Sequence, residues 1–168
     1  MIKTDLSGGL PIEREMIVAE RPDEPFWCEN LLFALYDPDI DIGFWLHLGS
    51  VPTEWAMWED LVFGCFPGED IFSTWGYYYT PQEKKPAGSN LAAKCIEPFK
   101  RWKVTFDGFV KHTTDAEMQA GLAPDGMRKR MIIDLDIECA VPVWDAHISS
   151  RSRGGKGEMT NQGWAKEC

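Results

Sequence analysis

The apolar positions of this chain fall mostly into runs with a period of two, the repeat of a strand and not of a helix. Residues 26–36 make the first run, closed by the turn-forming Asp37, Pro38, Asp39, Ile40 and Asp41. The centre of the pattern is 43–49 and 57–66, with 51–55 between them. Alternation puts Trp45 and His47 on one face of the first of these, and Phe44, Leu46 and Leu48 on the other. In the second, Trp58, Asp60, Val62 and Phe66 oppose Met57, Glu59, Leu61, Phe63 and Cys65. Strands apolar on both faces have to be covered on both, so a partner is expected over the outer surface of this pair. Further strands are predicted at 71–79, 91–96 and 101–106. In the last, Trp102, Val104 and Phe106 alternate with Lys103, Thr105 and Asp107, the mark of a strand with water on one side. Asp107 and Gly108 then predict a turn or bulge. In the long run 127–143, Met131, Ile133, Leu135, Ile137 and Cys139 share the inner face.

Helical signals are few. Thr114 followed three residues later by Glu117, with Gly121 beyond, spells a capped short helix. Residues 12–20 are compatible with another, ended by Pro22 and Pro25. The pattern therefore predicts an all-β domain, an antiparallel meander of about seven strands with one short helix. Its organisation reads as an arm at 1–25, the β domain at 26–148, and a flexible tail or connector at 149–168.

Composition narrows the function classes. A chain of 168 residues with 44% hydrophobic content, eight Trp and nine Phe can build a real core. A net charge of −10 argues against a nucleic-acid partner, because phosphate would be repelled. The first residues lack the apolar core of a signal peptide, and the uncharged run 42–53 is too short to span a bilayer. A cytoplasmic protein without a membrane span is the expectation. The five cysteines, Cys28, Cys65, Cys95, Cys139 and Cys168, are scattered and read as reduced thiols.

No nucleophile elbow, phosphate loop, zinc-protease or dinucleotide motif is present, and neither a cofactor nor a metal is expected. His47, His112 and His147 are far apart in sequence. The acids at 37–41 lack the glycine and terminal glutamate of a calcium loop and read as a turn. His47, expected to be buried, is either a hydrogen-bonded core imidazole or a pocket residue that moves protons, as histidine can near neutrality. Glu59 and Asp60 fall on opposite faces, so one of them shares a face with apolar residues, either as a carboxyl on a barrel rim or as one enclosed in a pocket. Trp75, Tyr77, Tyr78 and Tyr79 offer the aromatic area and phenol handles of an apolar ligand cavity, or of a core or partner interface.

The strings EPFWCE at 24–29, GFWLHLG at 43–49 and above all EPFKRWKVTFDG at 97–108 resemble the amino-terminal half of the tandem-lipocalin family, which includes carotenoid 1,2-hydratase and AttH-like proteins. DLDIE at 134–138 and PVWD at 142–145 are similar too, and GWAKEC at 163–168 resembles the connector to a second half. The resemblance implies a lipocalin-like (calycin) barrel or half-barrel and an apolar, isoprenoid-like ligand. It also implies completion by a second lipocalin-like half or, by symmetry, a homodimer. The expected activity is hydration, dehydration or isomerisation by acid/base chemistry, that of a hydro-lyase or isomerase. The catalytic candidates are His47 and Asp60, either of which would be the acid or base, and Trp45, Trp58, Trp75, Tyr77 and Tyr79 would be the ligand-binding residues. A non-catalytic carrier and an aromatic protein-interaction module are the alternatives.

Overall fold

Four strands in sequence order, each antiparallel to the next, make the body of the fold: β1 (Asn30–Asp37), β2 (Ile42–Val51), β3 (Glu54–Phe66) and β4 (Asp70–Tyr79). They continue into β5 (Leu91–Glu97), β6 (Arg101–Thr114) and β7 (Arg128–Glu138), giving one seven-stranded sheet in the order β1-β2-β3-β4-β6-β5, with β7 also on β6. The computed structural model describes residues 4–121, 127–145 and 166–167. The sheet is strongly curled, a lipocalin-like half-barrel with one α-helix among the described residues, so the predicted all-β antiparallel class holds. His147 and most of the predicted tail lie outside the described residues.

Contacts divide the chain into two compact units. The larger comprises 28–93 and 104–135, the smaller 1–27, 94–103 and 136–168. In the smaller unit the Trp102 indole N–H donates to Glu15 Oε1 at 2.6 Å, and the Val143 N–H to the Leu6 carbonyl at 3.0 Å. Of the helix expected within 12–20, only a single 3-10 turn forms, Ile12–Arg14. Two-residue strands β8 (Trp144–Asp145) and β9 (Lys166–Glu167) pair in the same unit.

In the larger unit the register sorts the side chains by face. One face holds the core: Leu46, Trp58, Val62, Val104 and Val110 have no exposed surface at all. Phe44, Phe66 and Phe72 pack edge to face there, with centroids 5.6 and 4.9 Å apart. Gly64 makes room for them, because a Cβ on it would come within 2.9 Å of the Phe44 ring. Glu69, at a φ of 66°, and Gly68, at 82°, turn the chain between β3 and β4.

Two local expectations meet the structure differently. The capped helix forms as predicted: α1 (Asp115–Gln119) is capped by Thr114, and Glu117 closes the reciprocal box. The turn or bulge expected at Asp107 and Gly108 does not, since β6 runs through to Thr114 with alternating burial. Gly108 serves packing instead: a Cβ there would come within 2.9 Å of both the Asn90 side chain and the Phe106 ring.

Candidate functional site

The other face of β1–β4 is open, and its side chains form cross-strand rows. Asn30, Gly49, Glu59 and Tyr77 make one row; Leu32, His47, Leu61 and Trp75 the next; Ala34, Trp45, Phe63 and Ser73 the third. Period-two geometry explains the sets: with His47 opposite Leu61, every odd-numbered residue of β3 shares its face. Trp45 is 49% exposed, Trp75 65% and Tyr77 51%. The face that the sequence expected to be covered is thus open in this chain, and its rings reach solvent.

A polar chain crosses this aromatic field. His47 Nδ1 lies 3.2 Å from Glu59 Oε1, and Nε2 lies 3.2 Å from Asn30 Oδ1, so a proton on either ring nitrogen has an oxygen partner. Tyr77 hydrogen-bonds Glu59 from the next strand. Desolvation, then the Glu59 charge and that hydrogen bond, hold the Tyr77 hydroxyl above the usual phenol range. Gly49 is the spatial condition for this chain, because a Cβ there would come within 2.7 Å of Asn30 Oδ1 and 2.9 Å of His47 Cε1. His47 is only part-buried, not enclosed as expected; an outward position on β2 leaves its edge accessible.

Beside these rows the sheet splits. β4 pairs with β6 only from Asp70 opposite Thr114 to Ser73 opposite Lys111. Past that point a cleft of about 590 Å³ is lined by Leu61, Phe63, Trp75, Phe109, Lys111 and Arg128, among others. Its size suits a small molecule. Trp75 and Tyr77, with ring centroids 5.8 Å apart, connect the cleft to the polar chain.

Of the residues predicted from sequence, the structure gathers Trp45, His47, Trp75, Tyr77 and Tyr79 on the open face and places Asp60 and Trp58 on the core face. The two acid–base candidates, His47 and Asp60, therefore lie on opposite faces of the sheet, a consequence of strand alternation. Asp60 is 2% exposed, and its Oδ2 accepts from the Ser89 hydroxyl (2.8 Å), the Asn90 N–H (2.9 Å) and the Leu91 N–H (3.3 Å). These partners pin the 80–91 connection. Trp58 is wholly buried, and its indole N–H has no acceptor among the described residues. Glu59 was weighed from sequence beside Asp60 as a rim or pocket acid, but Asn30, Gly49, Lys111 and Arg128 were not singled out. Only the register brings them to the site, although a glycine inside an aromatic strand was a signal of close approach.

A second polar cluster lies at one end of the core face. His112 Nε2 is 2.6 Å from Asp70 Oδ1, and its ring stacks on Phe72 at 4.8 Å. Among the described residues, no group of three or more His, Cys, Asp or Glu is placed to hold a metal, and no helix is long and apolar enough to cross a membrane.

Fold and site together define a class: an antiparallel half-barrel with an open aromatic face crossed by a histidine–carboxylate pair. Compared with known proteins, the chain matches no family model, no curated protein and no solved structure.

Proposed function

We propose that the open face of β1–β4 binds an apolar, isoprenoid-like small molecule and that His47 transfers protons on it, in hydration, dehydration or isomerisation. One observation carries the reading: the His47–Glu59 pair sits amid exposed Trp45, Trp75 and Tyr77, where a soluble face would ordinarily be polar. In the forward direction the protonated imidazole gives its proton to an alkene carbon, and water adds to the cation so formed. The proton that water sheds returns to the ring; loss of a neighbouring proton instead of water addition gives isomerisation. Glu59, 3.2 Å from Nδ1, holds the imidazole in place. The indole faces of Trp45 and Trp75 favour positive charge on the substrate. The tandem-lipocalin resemblance supports the same ligand class, with a second half or a second copy of the chain covering the face.

A carrier without catalysis is the second reading. It is favoured by the position of Asp60, which takes one of the two catalytic candidates off the open face. The test uses farnesol, followed by tryptophan fluorescence, and mass spectrometry of farnesol incubated with the protein in D2O. The expected result is saturable quenching that is weakened in Trp75→Ala, together with deuterium incorporation that disappears in His47→Gln while quenching persists. Quenching with no incorporation in the wild type would make the protein a carrier. Absence of quenching would overturn the reading.

A further inference from the structure

We infer that the ligand of the open-face cleft carries an anionic head, a carboxylate or phosphate, held by Lys111 and Arg128. The inference rests on the reading above, that this face takes an apolar molecule, and adds the chemistry of its end. Lys111 projects from β6 beside Phe109, and Arg128 from the first residue of β7; both line the cleft with Leu61, Phe63 and Trp75. Among the described residues neither cation makes a hydrogen bond or ion pair. Arg130 and Lys103 on the same two strands do find carboxylates. Arg130 holds Asp107 through two nitrogens at 2.9–3.1 Å, and Lys103 reaches Asp136 at 3.1 Å.

The cleft lining includes these two cations and no carboxylate, so its charge is unbalanced. Each repels the other, and an anion between them relieves that repulsion. The guanidinium offers a fork that fits a carboxylate or phosphate, and the ammonium adds a point charge. The Ser73 hydroxyl, also on the cleft wall, is a further donor. Leu61, Phe63, Trp75 and Phe109 would take the apolar body. This is the layout of a site for a long-chain acid: an apolar floor with the polar groups gathered at one end.

The probe is cis-parinaric acid, compared with its methyl ester, titrated by fluorescence into the wild-type chain, Trp75→Ala and the double variant Lys111→Gln/Arg128→Gln. Both basic residues are exposed, so the double variant should fold, which circular dichroism checks. The wild type should bind the acid at least about tenfold more tightly than the ester, as expected for charge-assisted hydrogen bonds. The double variant should lose that preference and keep ester affinity, and added salt should weaken only the acid. Dodecyl phosphate should displace the acid from the wild type. Equal wild-type affinity for acid and ester, both weakened in Trp75→Ala, would overturn the anionic head and leave the apolar site standing. Binding of neither would overturn both. Sedimentation with phosphatidylglycerol vesicles separates the sources: monomeric acid bound and vesicles ignored supports a free small molecule. Vesicles bound through Lys111 and Arg128, with no uptake of monomeric acid, would overturn it in favour of a membrane surface.

Discussion

Replacing Asp60 tests whether the carboxylate is a latch or a catalyst. In the wild type Oδ2 accepts the Ser89 hydroxyl and the backbone N–H groups of Asn90 and Leu91, on a residue 2% exposed. Asp60→Ala deletes that acceptor. The Ser89 hydroxyl can rotate to another partner, but the two N–H groups are fixed by the backbone. A buried donor left unsatisfied costs about 1–3 kcal/mol, so the pair amounts to roughly 4 kcal/mol. With an m value of about 2 kcal/mol per molar in urea, the unfolding midpoint should fall by about 2 M. Asp60→Asn, with its oxygen in the place of Oδ2, keeps one acceptor for the Ser89 hydroxyl and both N–H groups. It loses only the charge assistance, roughly 1–2 kcal/mol. Equilibrium urea unfolding followed by circular dichroism measures both. Farnesol quenching in the Asn variant should match the wild type, because Asp60 faces the core. Equal damage from Ala and Asn, or a loss below about 0.5 kcal/mol in both, would refute the latch. So would abolished ligand binding in a fully folded Asn variant.

Gly49→Ala should disturb the open face more than the core, since the added Cβ would meet Asn30 Oδ1 at 2.7 Å and His47 Cε1 at 2.9 Å. The imidazole resonances of His47 should shift in NMR while those of His112 stay in place. In alkaline titration at 295 nm, Glu59→Gln should bring one tyrosine down toward the ordinary value, because the Glu59 charge and hydrogen bond help to hold Tyr77 up. The raised folded value of Tyr77 means that its contribution to stability is complete below about pH 10 and is lost as pH rises through the folded value. Glu117 has the opposite sign: the Thr114 N–H, then the Thr113 hydroxyl, lower its carboxyl below the ordinary 4.5. The stability gap between wild type and Glu117→Gln should therefore be constant above that pH and close as pH falls through the folded value. Thr114→Ala should cost about 1 kcal/mol through the lost cap.

Much of the fold was legible because strand alternation is written directly into this chain. The face assignments within β2, β3 and the first half of β6 follow from single side chains such as Leu46, Val62 and Trp102, which the structure buries. The α1 cap was legible because its two partners are three residues apart. What sequence could not supply was register. His47 and Asp60 each have a definite face on their own strands, but whether those faces coincide depends on which residue stands opposite which. His47 is paired with Leu61, one residue from Asp60, and that offset alone separates the two candidates. Gly108 misled for a related reason: a glycine in a strand signals either a turn or a close approach, and the distant Asn90 and Phe106 decide which.

The sheet also contains its own control for the meaning of the open face. Along β6 the buried positions Trp102, Val104, Phe106 and Val110 alternate with Arg101, Lys103, Thr105 and Asp107, the ordinary composition of a solvated strand surface. On β2, β3 and β4 the equivalent outward positions hold Trp45, His47, Leu61, Phe63, Trp75 and Tyr77. Both compositions sustain the same antiparallel pairing, so folding alone does not require aromatic rings outside. The change from one to the other falls within β6 itself. After Asp107 the next outward residue is Phe109, 63% exposed, and the one after is Lys111, and both belong to the cleft wall. That boundary coincides with the place where β4 parts from β6, and a contiguous patch of exposed rings there supports the proposed binding surface. The polar chain from Asn30 through His47 and Glu59 to Tyr77 lies on the same aromatic face, which places it beside any molecule bound there as proposed.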